Sequence, residues 1–334
     1  MRIPSNRICD IERFAYAELE DIYPQEEIRG FLRLLFEEYL GWDLTTWLLS
    51  KQKTINQSDL LKINFAIKDL KRHRPIQHII GKADFCGMTL TVDENVLIPR
   101  PETEGLVELA KDRCPSPKRI LDLCTGSGCI AIALAKTFPE ATITAVDISE
   151  KALEVARQNA RNQGVKIEFV QADVLNRTSV NSNLSAVGRT NQQDLQNLAS
   201  FSEQEFFCSE TNSGSCFNDS TCEFPQFDLI VSNPPYVREL EKSGMRPNVL
   251  DYEPHIALFV PDNDPLLFYR RIAEIADKHL VTSGLLVIEI NESLGDETAN
   301  LFRTHGFETT LHNDFKGKTR FAVGRKKTIS EIVI

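Results

Sequence analysis

The stretch Arg119-Ile120-Leu121-Asp122-Leu123-Cys124-Thr125-Gly126-Ser127-Gly128-Cys129-Ile130-Ala131-Ile132-Ala133-Leu134-Ala135 decides the architecture. It opens as a short apolar run of strand length, turns through two glycines, and continues as an Ala/Ile/Leu series suited to a buried helix. Glycines in such a turn let a ligand approach the backbone closely, and the helix that follows presents free N–H groups. The pattern then repeats. Thr142-Ile143-Thr144-Ala145-Val146 reads as a strand ending at Asp147, and Ser149 N-caps a helical series that runs through Arg157. Ile167 through Ala172 reads as a further strand with Asp173 at its C-terminal end. Helix and strand signals alternate from Glu102 onwards, which implies an α/β domain on a mostly parallel sheet. A late strand is expected at Leu285–Ile290, and Arg320–Gly324 is expected to close the sheet, antiparallel.

The carboxylates at the strand ends suggest what the glycine turn receives. Asp147 can accept hydrogen bonds from both ribose hydroxyls of a nucleoside cofactor, and Asp173 can accept from an adenine amino group. Gly126, Gly128 and Ala131 also fit the dinucleotide fingerprint, with an acidic residue roughly 20 positions on. That pattern alone does not separate NAD from S-adenosylmethionine. Asp122, just before the turn, tips the balance towards S-adenosylmethionine. A pyrophosphate would be repelled there, whereas the ammonium of a methionine moiety would be served by it, directly or through the loop.

Phe227-Asp228-Leu229-Ile230-Val231-Ser232 is another buried strand, and it runs into Asn233-Pro234-Pro235-Tyr236. Consecutive prolines fix φ and remove two backbone donors, so the Pro234 carbonyl is kept out of a regular ladder. The Asn233 side-chain oxygen lies beside it in sequence. Two fixed acceptors and an aromatic ring suit a planar NH2 group. A Pro-rich turn after a strand is the plain alternative, but the glycine turn upstream favours methylation of an amide or an exocyclic amine.

Further motifs carry a family resemblance. Arg74-Pro75-Ile76-Gln77-His78-Ile79-Ile80-Gly81, Leu97-Ile98-Pro99-Arg100-Pro101-Glu102-Thr103-Glu104, Asp251-Tyr252-Glu253-Pro254-His255 and Gly317-Lys318-Thr319-Arg320 accompany the two turns above. In combination they resemble the HemK family, the glutamine N-methyltransferases that modify peptide chain release factors. The resemblance runs from about Arg74 to Arg325. It implies a Rossmann-like class I methyltransferase fold and S-adenosylmethionine as cofactor. It also implies cofactor contacts at Cys124, Thr125, Gly126, Ser127, Gly128, Asp147, Asp173, Val174 and Asn233. Asn233, Pro234, Pro235 and Tyr236 would bind the substrate glutamine. Cys124 departs from the family's usual Gly, and Val174 from its frequent aromatic. Arg100 to Glu104 would line the pocket, without individual roles. Ribosomal-protein glutamine methyltransferases carry a Ser-Pro version of this loop, and nucleic-acid amine methyltransferases lack it. Both stay open as alternatives, as does a non-catalytic cofactor-binding module.

Composition sets the remaining bounds. The chain has 334 residues, a net charge of -10 and 42% hydrophobic residues, enough for a sizeable core and without the basic face of a nucleic-acid binder. Its eight cysteines show no Cys-x-x-Cys and no zinc spacing, so no metal is expected and the thiols are read as reduced. Neither a signal peptide nor a membrane span is legible, and a cytoplasmic monomer is expected. Residues 1–75 read as a helical substrate-docking domain, with Ile28–Phe36 and Leu60–Ile67 at helical spacing. Residues 76–100 read as a hairpin linker and 101–330 as the methyltransferase domain. Within the latter, 176–226 is rich in Ser, Asn, Gln and Thr and reads as a surface insertion.

Overall fold

The computed structural model describes residue 3, residues 5–176 and residues 226–327. The insertion expected at 176–226 therefore lies, apart from its two end residues, outside the described residues. The chain divides into two compact units, residues 1–99 with 238–259, and residues 100–237 with 260–334.

The first unit is a helical bundle followed by a hairpin. Helices α1 (Ile8–Leu19), α2 (Gln25–Leu40), α3 (Leu44–Leu49), α4 (Gln57–Leu70) and α5 (Ile76–Ile80) follow one another. Ile28, Leu32, Leu35 and Phe36 of α2 meet Ile63, Ala66, Ile67 and Leu70 of α4 in one core, the helical spacing turning a single apolar stripe inward. Chain punctuation sets the ends. The Asn56 side chain accepts from the Asp59 amide at 2.8 Å to start α4, and Gly41 ends α2 in the left-handed conformation. Strands β1 (Lys82–Phe85) and β2 (Met88–Thr91) pair antiparallel across Cys86 and Gly87, whose φ values of 47° and 70° suit a tight hairpin turn. Their buried faces, Ala83 and Phe85 with Met88 and Leu90, alternate at period two.

Segment 238–259 also belongs to this unit and contains the helical turn α9 (Pro247–Leu250). It explains the Asp-Tyr-Glu-Pro-His motif. The Tyr252 hydroxyl donates to the Arg72 carbonyl at 2.7 Å, and the buried Glu253 carboxylate accepts from the Ile98 amide at 3.1 Å. The motif ties the returning chain to the bundle and to the residues that follow the hairpin.

The second unit is built on a seven-stranded sheet. Its elements are α6 (Pro101–Arg113), β3 (Arg119–Leu123), α7 (Cys129–Thr137), β4 (Thr142–Asp147), α8 (Glu150–Gln163), β5 (Glu168–Gln171) and β6 (Phe227–Ser232). After the two-residue strands β7 (Val237–Arg238) and β8 (Phe259–Val260) come α10 (Leu267–His279), β9 (Leu280–Glu289), α11 (Gly295–Thr304), β10 (Phe307–Asn313) and β11 (Thr319–Lys326). The strand order is β10-β11-β9-β6-β3-β4-β5, with β11 antiparallel to both neighbours. Arg320–Gly324 thus joins the sheet antiparallel, as expected. Pairing with β10 puts β11 inside, between β10 and β9. The central strands β3, β6 and β9 are buried almost throughout, as expected where helices cover both faces. Ser149 caps α8 by accepting from the Ala152 amide at 3.2 Å.

The topology also locates the ligand crevice. From β3 the chain works outwards through β4 and β5, then crosses back to lay β6 on the other side of β3. In open α/β sheets, ligands bind outside the carboxyl ends of the strands where the order reverses in this way. Here that point lies between β3 and β6.

Candidate active site

Strand register brings the sequence motifs to one edge. Leu123 is level with Ser232 and with Val146, and Ser232 is level with Ile288. Cys124, Asn233, Asp147 and Glu289 therefore leave adjacent strands about 4.8 Å apart at the same height. A side chain fixes this alignment. The buried Ser232 hydroxyl donates to the Leu123 carbonyl at 2.7 Å, pinning the start of one turn to the start of the other.

The glycine loop is held from both ends. Asp147 accepts from the Gly126 amide at 2.8 Å through one oxygen and from the Ser149 amide at 2.9 Å through the other. The carboxylate keeps acceptor capacity for a further donor. Burial raises the Asp147 carboxyl above its ordinary range against the pull of these amides. Asp122 is fully buried; its Oδ2 accepts from the Thr125 hydroxyl at 2.6 Å, while Oδ1 meets no donor within hydrogen-bond geometry among the described residues. Burial pushes this carboxyl up to about 7. Of the two routes open to Asp122, the observed bond is the one through the loop. The Asn159 amide donates to the Ser127 carbonyl at 3.0 Å and secures the loop from α8.

Open space lies above this loop. A Cβ built on Gly126 would meet no heavy atom within 4 Å, whereas one on Gly128 would come 3.0 Å from the Ala156 Cβ. Gly126 thus faces open space and Gly128 faces a packed helix. With the spare acceptor capacity of Asp147, this donor and acceptor set fits a nucleoside cofactor. Cys124 has φ of 61°, in the left-handed region that favours glycine, which is the physical sense of the residue the resemblance leads one to expect there. Burial, with the Asp147 and Asp122 carboxylates nearby, drives its thiol well above the ordinary range.

At β5 the expected residues separate. The Asp173 carboxylate accepts from the Leu175 amide at 2.9 Å and shapes the turn. The Val174 side chain is packed in the hydrophobic core, and its carbonyl accepts from the buried Arg271 guanidinium at 2.9 Å. Only the backbone of Val174 is left for a ligand.

Asn233 and Tyr236 belong to a network that sequence reasoning missed. The Asn233 amide donates to the Thr103 hydroxyl at 3.2 Å, and Thr103 donates to Glu289 at 2.7 Å. The Tyr236 hydroxyl donates to the other Glu289 oxygen at 2.8 Å, and the Tyr236 carbonyl accepts from the Asn291 side chain at 3.1 Å. Burial raises the Glu289 carboxyl, while the two hydroxyls and the Arg320 charge pull it back. Burial and that carboxylate push the Tyr236 phenol well above its ordinary range, so it stays a donor. Among the described residues no backbone donor is bonded to the Pro234 carbonyl. The signal for Glu289 was a lone carboxylate in the apolar run Leu285-Leu286-Val287-Ile288-Glu289-Ile290, since a charge buried in a central strand must have partners.

The chain is similar to known proteins over most of its length. The family described as "Methyltransferase domain" matches residues 120–204, and that described as "PrmC N-terminal domain" matches residues 11–81. The protein named "Release factor glutamine methyltransferase" from Flavobacterium psychrophilum is 39% identical over 308 residues, covering 90% of this chain and 93% of that protein. Its namesake from Bacteroides thetaiotaomicron is 36% identical, covering 95% and 99%. A solved protein-(glutamine-N5) methyltransferase (release factor-specific) from Alicyclobacillus acidocaldarius is 25% identical with a TM-score of 0.36, covering 69% of this chain and 95% of that one. On the identity and coverage of the curated relatives, the chain belongs to the release factor glutamine methyltransferase family.

Proposed function

We propose that this chain methylates the side-chain nitrogen, N5, of the glutamine in the Gly-Gly-Gln tip of peptide chain release factors, with S-adenosylmethionine as donor. The observation that carries the reading is the β3–β6 register, through which the glycine loop and Asn233-Pro234-Pro235-Tyr236 begin side by side. Cys124 through Gly128, Asp147 and the Asp173-Val174 turn would hold the cofactor, Asp147 through its ribose hydroxyls. When bound, the cofactor supplies an electrophilic methyl on a sulfonium centre.

The chain's own residues do the rest. A carboxamide nitrogen is a poor nucleophile because its lone pair is delocalised into the carbonyl. Asn233 Oδ1 and the Pro234 carbonyl accept its two hydrogens, raise electron density on nitrogen and aim it. Tyr236 flanks the flat amide and restricts its rotation. Positioning of this kind can contribute ~7–11 kcal/mol. The nitrogen–carbon bond forms as the carbon–sulfur bond breaks. The surplus proton of the N-protonated amide is acidic enough for water to take it, so no His or Lys base is required.

The helical unit would dock the folded substrate. It exposes Leu49 and Phe65, 82% and 60% accessible. Among the described residues no helix is long and apolar enough to cross a membrane. The reading takes the enzyme as a cytoplasmic monomer that acts on protein, not on nucleic acid. Labelled methyl transfer to release factor, ribosomal protein and naked RNA, compared in parallel, tests it. Label is expected on the release factor; label on RNA alone would overturn the reading.

A further inference from the structure

We infer that Thr103 and Glu289 are positioning residues that fix which way the Asn233 amide faces, and that Thr103 is the working member of the Arg-Pro-Glu-Thr motif. The inference rests on the proposed role of Asn233 as an acceptor for the substrate amide. An Asn side chain has nearly the same shape in its two flipped orientations, but only one presents oxygen to the substrate. Packing therefore cannot choose between them. A directional hydrogen-bond chain can.

Glu289 supplies the direction. Thr103 and Tyr236, at 2.7 and 2.8 Å, each donate to one of its two oxygens. With its one hydrogen committed, the Thr103 oxygen can only accept from Asn233, 3.2 Å away, and so meets the NH2 end of that side chain. Asn233 Oδ1 is then left facing outwards as an acceptor. The anchor is rigid: Thr103 and Glu289 are each 2% exposed, one in the first turn of α6 and the other at the end of β9. The same carboxylate holds the Tyr236 ring, so one buried group orients both walls of the amide site.

Substitution separates polarity from packing. Thr103→Val keeps the shape and removes the relay, Thr103→Ser restores it, and Glu289→Gln keeps the volume while giving the anchor a donor end. Turnover on a Gly-Gly-Gln peptide should fall about 10- to 100-fold in Thr103→Val and Glu289→Gln, the scale for outer partners that orient a working group. Thr103→Ser should recover most of the rate. The fall should lie in kcat, with S-adenosylmethionine affinity by calorimetry at its wild-type value. Added to Asn233→Ala, Thr103→Val should cost nothing more, because the two share one pathway. A second readout is independent of catalysis. The side-chain NH2 resonance of Asn233, identified by its loss in Asn233→Ala, should shift in Thr103→Val and return in Thr103→Ser. An unshifted resonance, or full additivity with Asn233→Ala, would overturn the inference. A shifted resonance in an enzyme that methylates no glutamine would uphold the hydrogen-bond chain and overturn the proposed function instead.

Discussion

Two glycines in one loop serve different ends, and substitution should tell them apart. Both have positive φ, 55° at Gly126 and 80° at Gly128, so an alanine at either position carries about 1–2 kcal/mol of backbone strain. Gly128→Ala adds a collision with Ala156 and should show its larger effect in thermal stability. Gly126→Ala adds a methyl to open space and should show its larger effect in S-adenosylmethionine affinity, read by calorimetry. Equal behaviour of the two would contradict the cradle. Asp122 makes a separate prediction about pH. Its folded pKa of about 7 lies above the 3.8 of an unperturbed carboxyl. The unfolded chain therefore releases this proton at lower pH than the folded one. The group costs nothing below about pH 4, and its burial penalty grows as pH rises through about 7, to roughly 4 kcal/mol at ~1.4 per unit. Asp122→Asn keeps an acceptor for Thr125 and removes the titration. Urea unfolding at pH 5 and pH 8 should show the wild type losing more stability than the variant; parallel losses would refute the assignment.

Among the elements, α6 decides whether the amide site is assembled, because it carries Thr103. Gly105 lets it lie close to the sheet: a Cβ there would fall 2.9 Å from the ring of the buried Phe321 on β11. Gly105→Ala should therefore shift the first turn of α6 and slow methyl transfer, although alanine is the better helix former by ~1 kcal/mol. Cofactor affinity should hold, since the glycine loop hangs from β3 and β4. Unchanged turnover would show that α6 tolerates the displacement. These elements differ in how far the sequence reveals them. The strand–turn–helix at Arg119–Ala135, the Ser149 cap and the α2 and α4 stripes are local patterns, and the structure contains them all. Asn233-Pro234-Pro235-Tyr236 is legible for the same reason, since proline fixes its own neighbourhood. The Thr103–Glu289 bond spans 186 positions, and only strand order brings its ends together. The position of β11 within the sheet is hidden in the same way, being a consequence of pairing with β10.

For the whole molecule, the first unit draws on two distant parts of the chain, and Glu253 binds them. Loss of its carboxylate leaves the Ile98 amide without that partner in a buried setting, which costs about 1–3 kcal/mol. Glu253→Ala should loosen segment 238–259 to limited proteolysis while S-adenosylmethionine still binds, because the proposed cofactor contacts all belong to the second unit. Loss of cofactor binding in this variant would contradict that separation. Such a tie between residues 98 and 253 is invisible to local pattern, and the motif around it reads from sequence only as a family mark. The central claim is that one enzyme carries an amide clamp beside a cofactor loop and uses it on a single glutamine. The most direct test is mass spectrometry of intact release factors incubated with S-adenosylmethionine and either the wild type or Asn233→Ala. The account predicts one added methyl on the Gly-Gly-Gln glutamine, formed about 10²–10³-fold more slowly by the variant, as for loss of one preorganised transition-state hydrogen bond. A methyl on any other residue, or equal rates from the two enzymes, would contradict it.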